Sequence, residues 1–242
     1  MRKTTIAIVT GGDGLEAASS AASAHNVYNR LGDEHFNRVM LAVERWCWTV
    51  IRADGIDSDS LTQAWVDRAN FRLELPDEVI GFDGAFIALH GAPGETGHLQ
   101  AWFELLGLPY TGSNLLASAT AMDKRACKRV IEAEGLMRVP RDWIIPARDL
   151  TAFDPKHIDV SYPVIIKPNA HGSGMGVHLV TNSQALLHCV TQIDIMGQAA
   201  LVEEFIPGRE FTVGAFILNG EIGILPVAEV LRPDYARELT QE

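Results

Sequence analysis

The sequence predicts an α/β protein in two parts, a wound and mostly parallel α/β unit followed by an α+β unit. Two observations carry this. Before residue 113, short apolar runs that end in glycine loops alternate with helical segments, the pattern of a wound sheet. After residue 113, strands gather around a Gly/Ser loop and finish at Asn219-Gly220, a type I′ hairpin signal that calls for antiparallel pairing.

The elements follow in order. Residues 4–10 form a β-rich apolar run that enters Gly11-Gly12-Asp13-Gly14 and read as a buried strand. Residues 16–31 read as a helix, with Val27 and Leu31 four apart and Gly32 placed to stop it. Residues 36–51 offer one or two strands around an ambiguous Trp46-Cys47-Trp48. A short strand, residues 84–90, runs into the loop Gly91 to Gly94, and residues 96–106 look helical, closed by Gly107 and Pro109. Ser113 can cap a short helix, and residues 122–134 form a second, amphipathic one stopped at Gly135. Strands are expected at residues 162–168 and 177–181, then a helix from a Ser183 cap to about Met196. Residues 201–206 and 210–218 are strands around Pro207-Gly208, and 222–231 pairs back on its predecessor. The main boundary falls at residue 113.

Composition excludes several functions. An apolar fraction of 47% and 21% charged residues suit a globular chain of 242 residues, and a net charge of −11 supplies no basic field for nucleic acid or an anionic membrane. Cys47, Cys127 and Cys189 show no CxxC spacing, so reduced thiols in a cytoplasm are expected rather than zinc or disulfides. The apolar run at Ile6–Val9 is too short for a signal-peptide core, and nothing approaches the roughly 20 apolar residues of a membrane span.

Four groups of residues could carry chemistry. Lys167 ends the run Tyr162-Pro163-Val164-Ile165-Ile166-Lys167-Pro168 and precedes His171-Gly172-Ser173-Gly174-Met175-Gly176. A lysine ending an apolar strand calls for an anionic partner, and alternate glycines let backbone N–H groups close on phosphate oxygens. No GxxxxGK[ST] is present, and the loop leads into a strand, so neither a P-loop nor a dinucleotide fingerprint fits. The plain alternative is a flexible hairpin with a surface lysine. In Leu201-Val202-Glu203-Glu204-Phe205-Ile206, carboxylates on an apolar strand could meet an adenine amino group while Phe205 and Ile206 cover the base; the alternative is an edge strand facing water. Lys124 opens a helix, where an anion would relieve its conflict with the macrodipole; a solvated lysine is the alternative. His90 and Glu16 both follow strands of the wound sheet, at the crevice where ligands tend to sit, or are turn residues satisfied locally.

Taken in order, GGDG–Glu16, HGAPGETGHLQ, ELLGLPYTGS, AMDK, PVIIKPN with its Gly/Ser loop, and LVEEFIPGREFTVG resemble the D-alanine–D-alanine ligases. The resemblance covers almost the whole chain, and residues 88–124 are close to a family fingerprint. It implies the ATP-grasp architecture, with an amino-terminal α/β domain at 1–112, a central ATP-grasp domain at 113–206 and the start of the carboxyl-terminal domain at 207–242. It also implies roles: Glu16 for the ammonium of the first D-alanine, His90 for its carboxylate, Lys124 and Lys167 for ATP phosphates, and Ser173 for closure over the reacting centre. Glu203 would meet the adenine amino group, Glu204, Phe205 and Ile206 would form the hinge behind the base, and Glu210 would bind the ribose hydroxyls. The implied cofactors are ATP and Mg²⁺ (or Mn²⁺), and the implied state is a homodimer through the amino-terminal domain, with no nucleic-acid or membrane partner.

The sequence departs from the family in two places. The family loop E-G-S-S-V-G is His171-Gly172-Ser173-Gly174-Met175-Gly176 here. The family also continues into a stretch bearing a flexible loop, an arginine and the acidic and Asn ligands for Mg²⁺, so this sequence reads as carboxyl-terminally truncated, with no metal ligand to name and apolar positions such as Phe216, Ile222 and Leu225 exposed. A nucleotide-binding remnant without activity, or a ligase using D-lactate or D-serine as second substrate, are the alternatives.

Overall fold

In the computed structural model, which describes residues 2–14 and 16–231, the chain opens with β1 (Thr4–Gly11), α1 (Ala17–Arg30), β2 (Phe36–Glu44) and β3 (Cys47–Ala53). A short α2 (Ser58–Thr62) and three small strands, β4 (Trp65–Asp67), β5 (Arg72–Glu74) and β6 (Val79–Gly81), precede β7 (Gly84–Ile87) and α3 (His98–Leu105). The main sheet has the order β3-β2-β1-β7, with β1 parallel to both neighbours and β2–β3 an antiparallel hairpin. The mostly parallel, wound sheet read from the sequence is therefore present.

Alternation along β1 sends its side chains to opposite faces, and both faces are covered. Ile8 and its partner Met40 pack on Ala24 and Tyr28 of α1. Ala7, Val9, Leu41 and Val43 face the other way, onto Leu99 and Phe103 of α3 and onto Phe71 and Leu73 of the small antiparallel β4-β5-β6 sheet. The buried stripe of α1 is Ser20, Ala24 and Tyr28, spaced i, i+4, i+8, whereas Val27 and Leu31 are only half-buried.

The second part comprises α4 (Leu115–Met122), α5 (Lys124–Ala133), β8 (Asp142–Ile145), β9 (Val164–Pro168), β10 (His178–Val180), α6 (Ser183–Ile195) and β11 (Ala200–Glu204). Its sheet runs β10-β9-β11-β8, antiparallel throughout. Val164, Ile166, Ala200 and Val202 pack on Leu186, Val190 and Ile193 of α6. The alternate positions Lys167 and Glu203, with Asp142 in register beside Glu203, share the other face. Asn114, rather than Ser113, caps α4 by accepting from Ala117 N, and Asn182, rather than Ser183, caps α6 by accepting from Ala185 N.

Beyond residue 204 the expected long strands are divided. The single strand read over 210–218 is β12 (Glu210–Thr212) and β13 (Ala215–Leu218), broken at Val213-Gly214; the strand read over 222–231 is β14 (Glu221–Ile224) and β15 (Ala228–Val230). Only β13 and β14 form the Asn-Gly hairpin, with φ of 52° at Asn219 and 82° at Gly220, while β15 pairs with β12. Phe216, Ile222 and Leu225 are exposed.

Candidate active site

A cavity of about 760 Å³ opens at the carboxyl end of β7, and its lining includes Ser23, His90, Gln100, Lys124, His171 and Gly172. It lies where the two parts of the chain meet.

On the amino-terminal side, Glu16 and His90 are held by α1. Ser20 Oγ donates to Glu16 O at 3.1 Å and accepts from His90 N at 2.9 Å, so one buried hydroxyl ties the start of α1 to the loop after β7. His90 Nε2 lies 2.9 Å from Ser23 Oγ. Two glycines keep space beside the Glu16 carboxylate: a Cβ at Gly91 would stand 3.1 Å from Oε2, and one at Gly172 would stand 3.4 Å from it. Gly91 has φ 70°, so a side chain there would also strain the backbone. From the other side of the cavity, Ser173 Oγ donates to Glu16 Oε1. The resemblance gives Glu16 and His90 to the first D-alanine and Ser173 to closure over the reacting centre; the fold brings Glu16 and Ser173 into contact and ties Glu16 and His90 together through Ser20.

The two predicted phosphate lysines also converge. Lys124 Nζ donates to His171 O within the Gly/Ser loop, and Lys167 Nζ pairs with Glu203 Oε2. Burial first, and then the charge of nearby Lys167, push the Lys124 ammonium below the usual lysine range. The expected anion at the helix start takes a different form: Asn169 accepts from Lys124 N and Arg125 N, and Asp123 accepts from Ala126 N, so the first N–H groups of α5 are capped from within. The Lys124 head group, by contrast, donates to a carbonyl rather than to a carboxylate.

Lys128, one turn beyond Lys124 on α5, was not singled out by the sequence. Its buried ammonium donates to Glu203 Oε1 and Pro140 O, each at 2.7 Å, and pairs with Asp142 Oδ2 at 2.7 Å without hydrogen-bond alignment. Burial would raise the Asp142 carboxyl, but Lys128, Arg129 and Arg125 outweigh it and hold it below the usual carboxylate range. The only available signal was the Lys124/Lys128 spacing of four, which places both on one helix face.

Glu203, expected to meet an adenine amino group, is buried with both oxygens on lysines, Oε1 on Lys128 and Oε2 on Lys167. Its carboxylate keeps further lone pairs for a donor. Glu204 is exposed and accepts from Arg141 N at 3.1 Å, Phe205 is half-buried, and Ile206 is exposed. Glu210 lies on β12, opposite Val230. Among the described residues, no group of three or more His, Cys, Asp or Glu is placed to hold a metal ion.

Comparison with known proteins matches residues 5–113 to a family described as the D-ala D-ala ligase N-terminus and residues 147–236 to the D-ala D-ala ligase C-terminus. A D-alanine–D-alanine ligase from Porphyromonas gingivalis is 32% identical over 237 residues, which are 96% of this chain and 68% of that protein. The chain belongs to the D-alanine–D-alanine ligase family. In fold, it resembles D-alanyl-alanine synthetase A from Vibrio cholerae, with a TM-score of 0.79 at 24% identity, covering 100% of this chain and 72% of that one. It also resembles a Bacillus anthracis D-alanine–D-alanine ligase solved with ATP, with a TM-score of 0.65 at 22% identity, covering 95% and 66%. Several of the motif residues line the cavity, His90 from the amino-terminal part and Lys124, His171 and Gly172 from the second part, and Glu16 meets Ser173 of the adjoining loop.

Proposed function

We propose that the chain ligates two D-alanines with ATP through an acylphosphate. Glu16 would hold the ammonium of the first D-alanine, and His90, which lines the cavity, its carboxylate. Lys124 and Lys167 would neutralise the ATP phosphates, Glu203 would take the adenine amino group, Glu204 to Ile206 would back the base, and Glu210 would bind the ribose.

In the first step a carboxylate oxygen of D-alanine attacks the γ-phosphorus and ADP leaves. The amine of the second D-alanine then attacks the acyl carbon, the bond to phosphate oxygen breaks, and inorganic phosphate departs with dipeptide. Positively charged groups suit both steps because negative charge must be held in line and neutralised. Ser173, bonded to Glu16, would close the loop over the reacting atoms. The family resemblance implies Mg²⁺ (or Mn²⁺); the described residues offer no ligand cluster for it.

The observation that carries this reading is the meeting of Glu16 with Ser173 of a loop whose His171 carbonyl also holds Lys124. This reading divides the chain at 1–112, 113–206 and 207–242; separate cores around β1 and around β9 support the first of these boundaries. The same reading has the chain act in the cytoplasm as a homodimer through the amino-terminal domain. No helix among the described residues is long and apolar enough to cross a membrane.

The test is phosphate release from ATP, Mg²⁺ and D-alanine, with dipeptide identified by mass. D-alanine-dependent release that Lys167→Ala abolishes is expected. Release no greater than that of the variant, with ATP still bound, would reduce the chain to a nucleotide-binding protein.

A further inference from the structure

We infer that Ser23 is a positioning residue: its hydroxyl holds the His90 imidazole through Nε2, so that Nδ1–H is presented to an amino-acid carboxylate in the cavity. The inference rests on the proposed role of His90. It begins with α1, where Glu16, Ser20 and Ser23 are spaced i, i+4, i+7 and so share one helix face. All three are used. Glu16 meets Ser173, Ser20 bridges Glu16 O and His90 N, and Ser23 Oγ lies 2.9 Å from His90 Nε2. The backbone and the ring of His90 are therefore both fixed to the helix that carries Glu16, which makes the two first-substrate groups one rigid unit.

The chemistry follows from the two ring nitrogens being distinct, with the partner of one setting the proton on the other. A serine hydroxyl can donate to Nε2 or accept from it; with Ser23 as the donor, the proton stays on Nδ1. Ser23 and His90 both line the cavity, so a carboxylate there meets an N–H donor already oriented, at no cost in ring rotation. Without Ser23 the ring would be free to turn and to exchange its proton between nitrogens.

The experiment uses the full chain with ¹⁵N-labelled histidine, as wild type, Ser23→Ala and Ser23→Thr, together with a Tm for each. Wild type should show His90 as the Nδ1–H tautomer, Ser23→Ala should lose that signature, and Ser23→Thr should restore it. Loss of one such hydrogen bond should weaken D-alanine binding roughly five- to tenfold, read as a rise in Kd or KM with little change in kcat. Identical ¹⁵N spectra for wild type and Ser23→Ala, or an Nε2–H tautomer in wild type, would overturn the inference. If wild type showed the tautomer but bound no D-alanine, the functional reading would fail while the positioning of His90 by Ser23 stood.

Discussion

Replacing Lys128 with methionine tests the buried charge cluster that underlies the ATP side of the site. Methionine keeps the unbranched apolar stem as far as Cε and removes the ammonium, so the change acts mainly on charge. In the native protein that ammonium faces Glu203, Asp142 and the Pro140 carbonyl, each 2.7 Å away. Both carboxylates are almost wholly buried, with side-chain exposures of 6% and 0%. Removing one partner from a buried ion pair costs about 3–5 kcal/mol, mainly because the remaining charge is left uncompensated. Here the compensation is partial. Lys167 still pairs with Glu203, and Arg129 still reaches Asp142 at 2.6 Å. The expected cost is therefore at the lower end, about 3 kcal/mol. For a chain of 242 residues this corresponds to a fall in Tm of roughly 6–12 °C. Differential scanning calorimetry measures it. A Lys128→Met protein that melts within about 2 °C of wild type would refute the reasoning.

Gly11→Ala should destabilise the loop that delivers Glu16. Gly11 has φ 99°, and its Cβ would lie 2.4 Å from Val43 O, so a loss of at least about 3 kcal/mol is expected in a thermal melt. Lys124 sets a pH dependence. Its ammonium titrates below the usual lysine range, so between that lowered value and the unfolded one the unfolded chain binds more protons and stability rises with pH. A polyanion bound at Lys124 restores the ammonium, so ATP binding should take up a proton in this alkaline window and weaken as pH rises through it. Calorimetry in buffers of different ionisation enthalpy reads that proton, and Lys124→Arg should abolish it. Burial, followed by the hydrogen bond to Asp54, pushes the Tyr28 hydroxyl up to about 12. Its stabilising contribution should be complete below the unfolded phenol value near ~10 and be lost as pH rises through the folded one. Phenolate absorbance tracks the titration, and Tyr28→Phe should cost about 1 kcal/mol, since Arg38 keeps Asp54 paired.

The strands with long apolar runs and the Asn219-Gly220 turn were readable because each has a local cause: burial on two faces for β1, and tolerance of positive φ for the hairpin. The β2–β3 turn was not. Arg45 and Trp46 occupy its two central positions with φ of 48° and 61°, values that neither residue type advertises, so the tertiary setting decides the turn. The strands β4 to β6 are only three residues each, too short for a period to appear, and their apolar residues matter through contact with α3 and β1. Caps at Asn114 and Asn182 were missed by one residue because serine neighbours offer the same chemistry. At the site, Glu16, His90, Lys167 and Ser173 stand out because glycine loops or strand ends mark them, and Lys124 because it opens a helix. Lys128 and Asp142 carry no such mark. Their importance arises only when β11 pairs with β8 and places Asp142 opposite Glu203 beneath α5.

The central claim is that Glu16, Ser173 and the two lysines assemble a site where a D-alanine carboxylate attacks ATP. The direct measurement supplies D-alanine labelled with ¹⁸O in its carboxylate and analyses the inorganic phosphate released. The proposed sequence of bonds transfers one labelled oxygen to phosphate in each turnover, because the oxygen that attacks phosphorus leaves with it. Labelled phosphate appearing together with dipeptide, and vanishing in Lys167→Ala, is the predicted result. Unlabelled phosphate, or labelled phosphate undiminished in Lys167→Ala, would contradict the account.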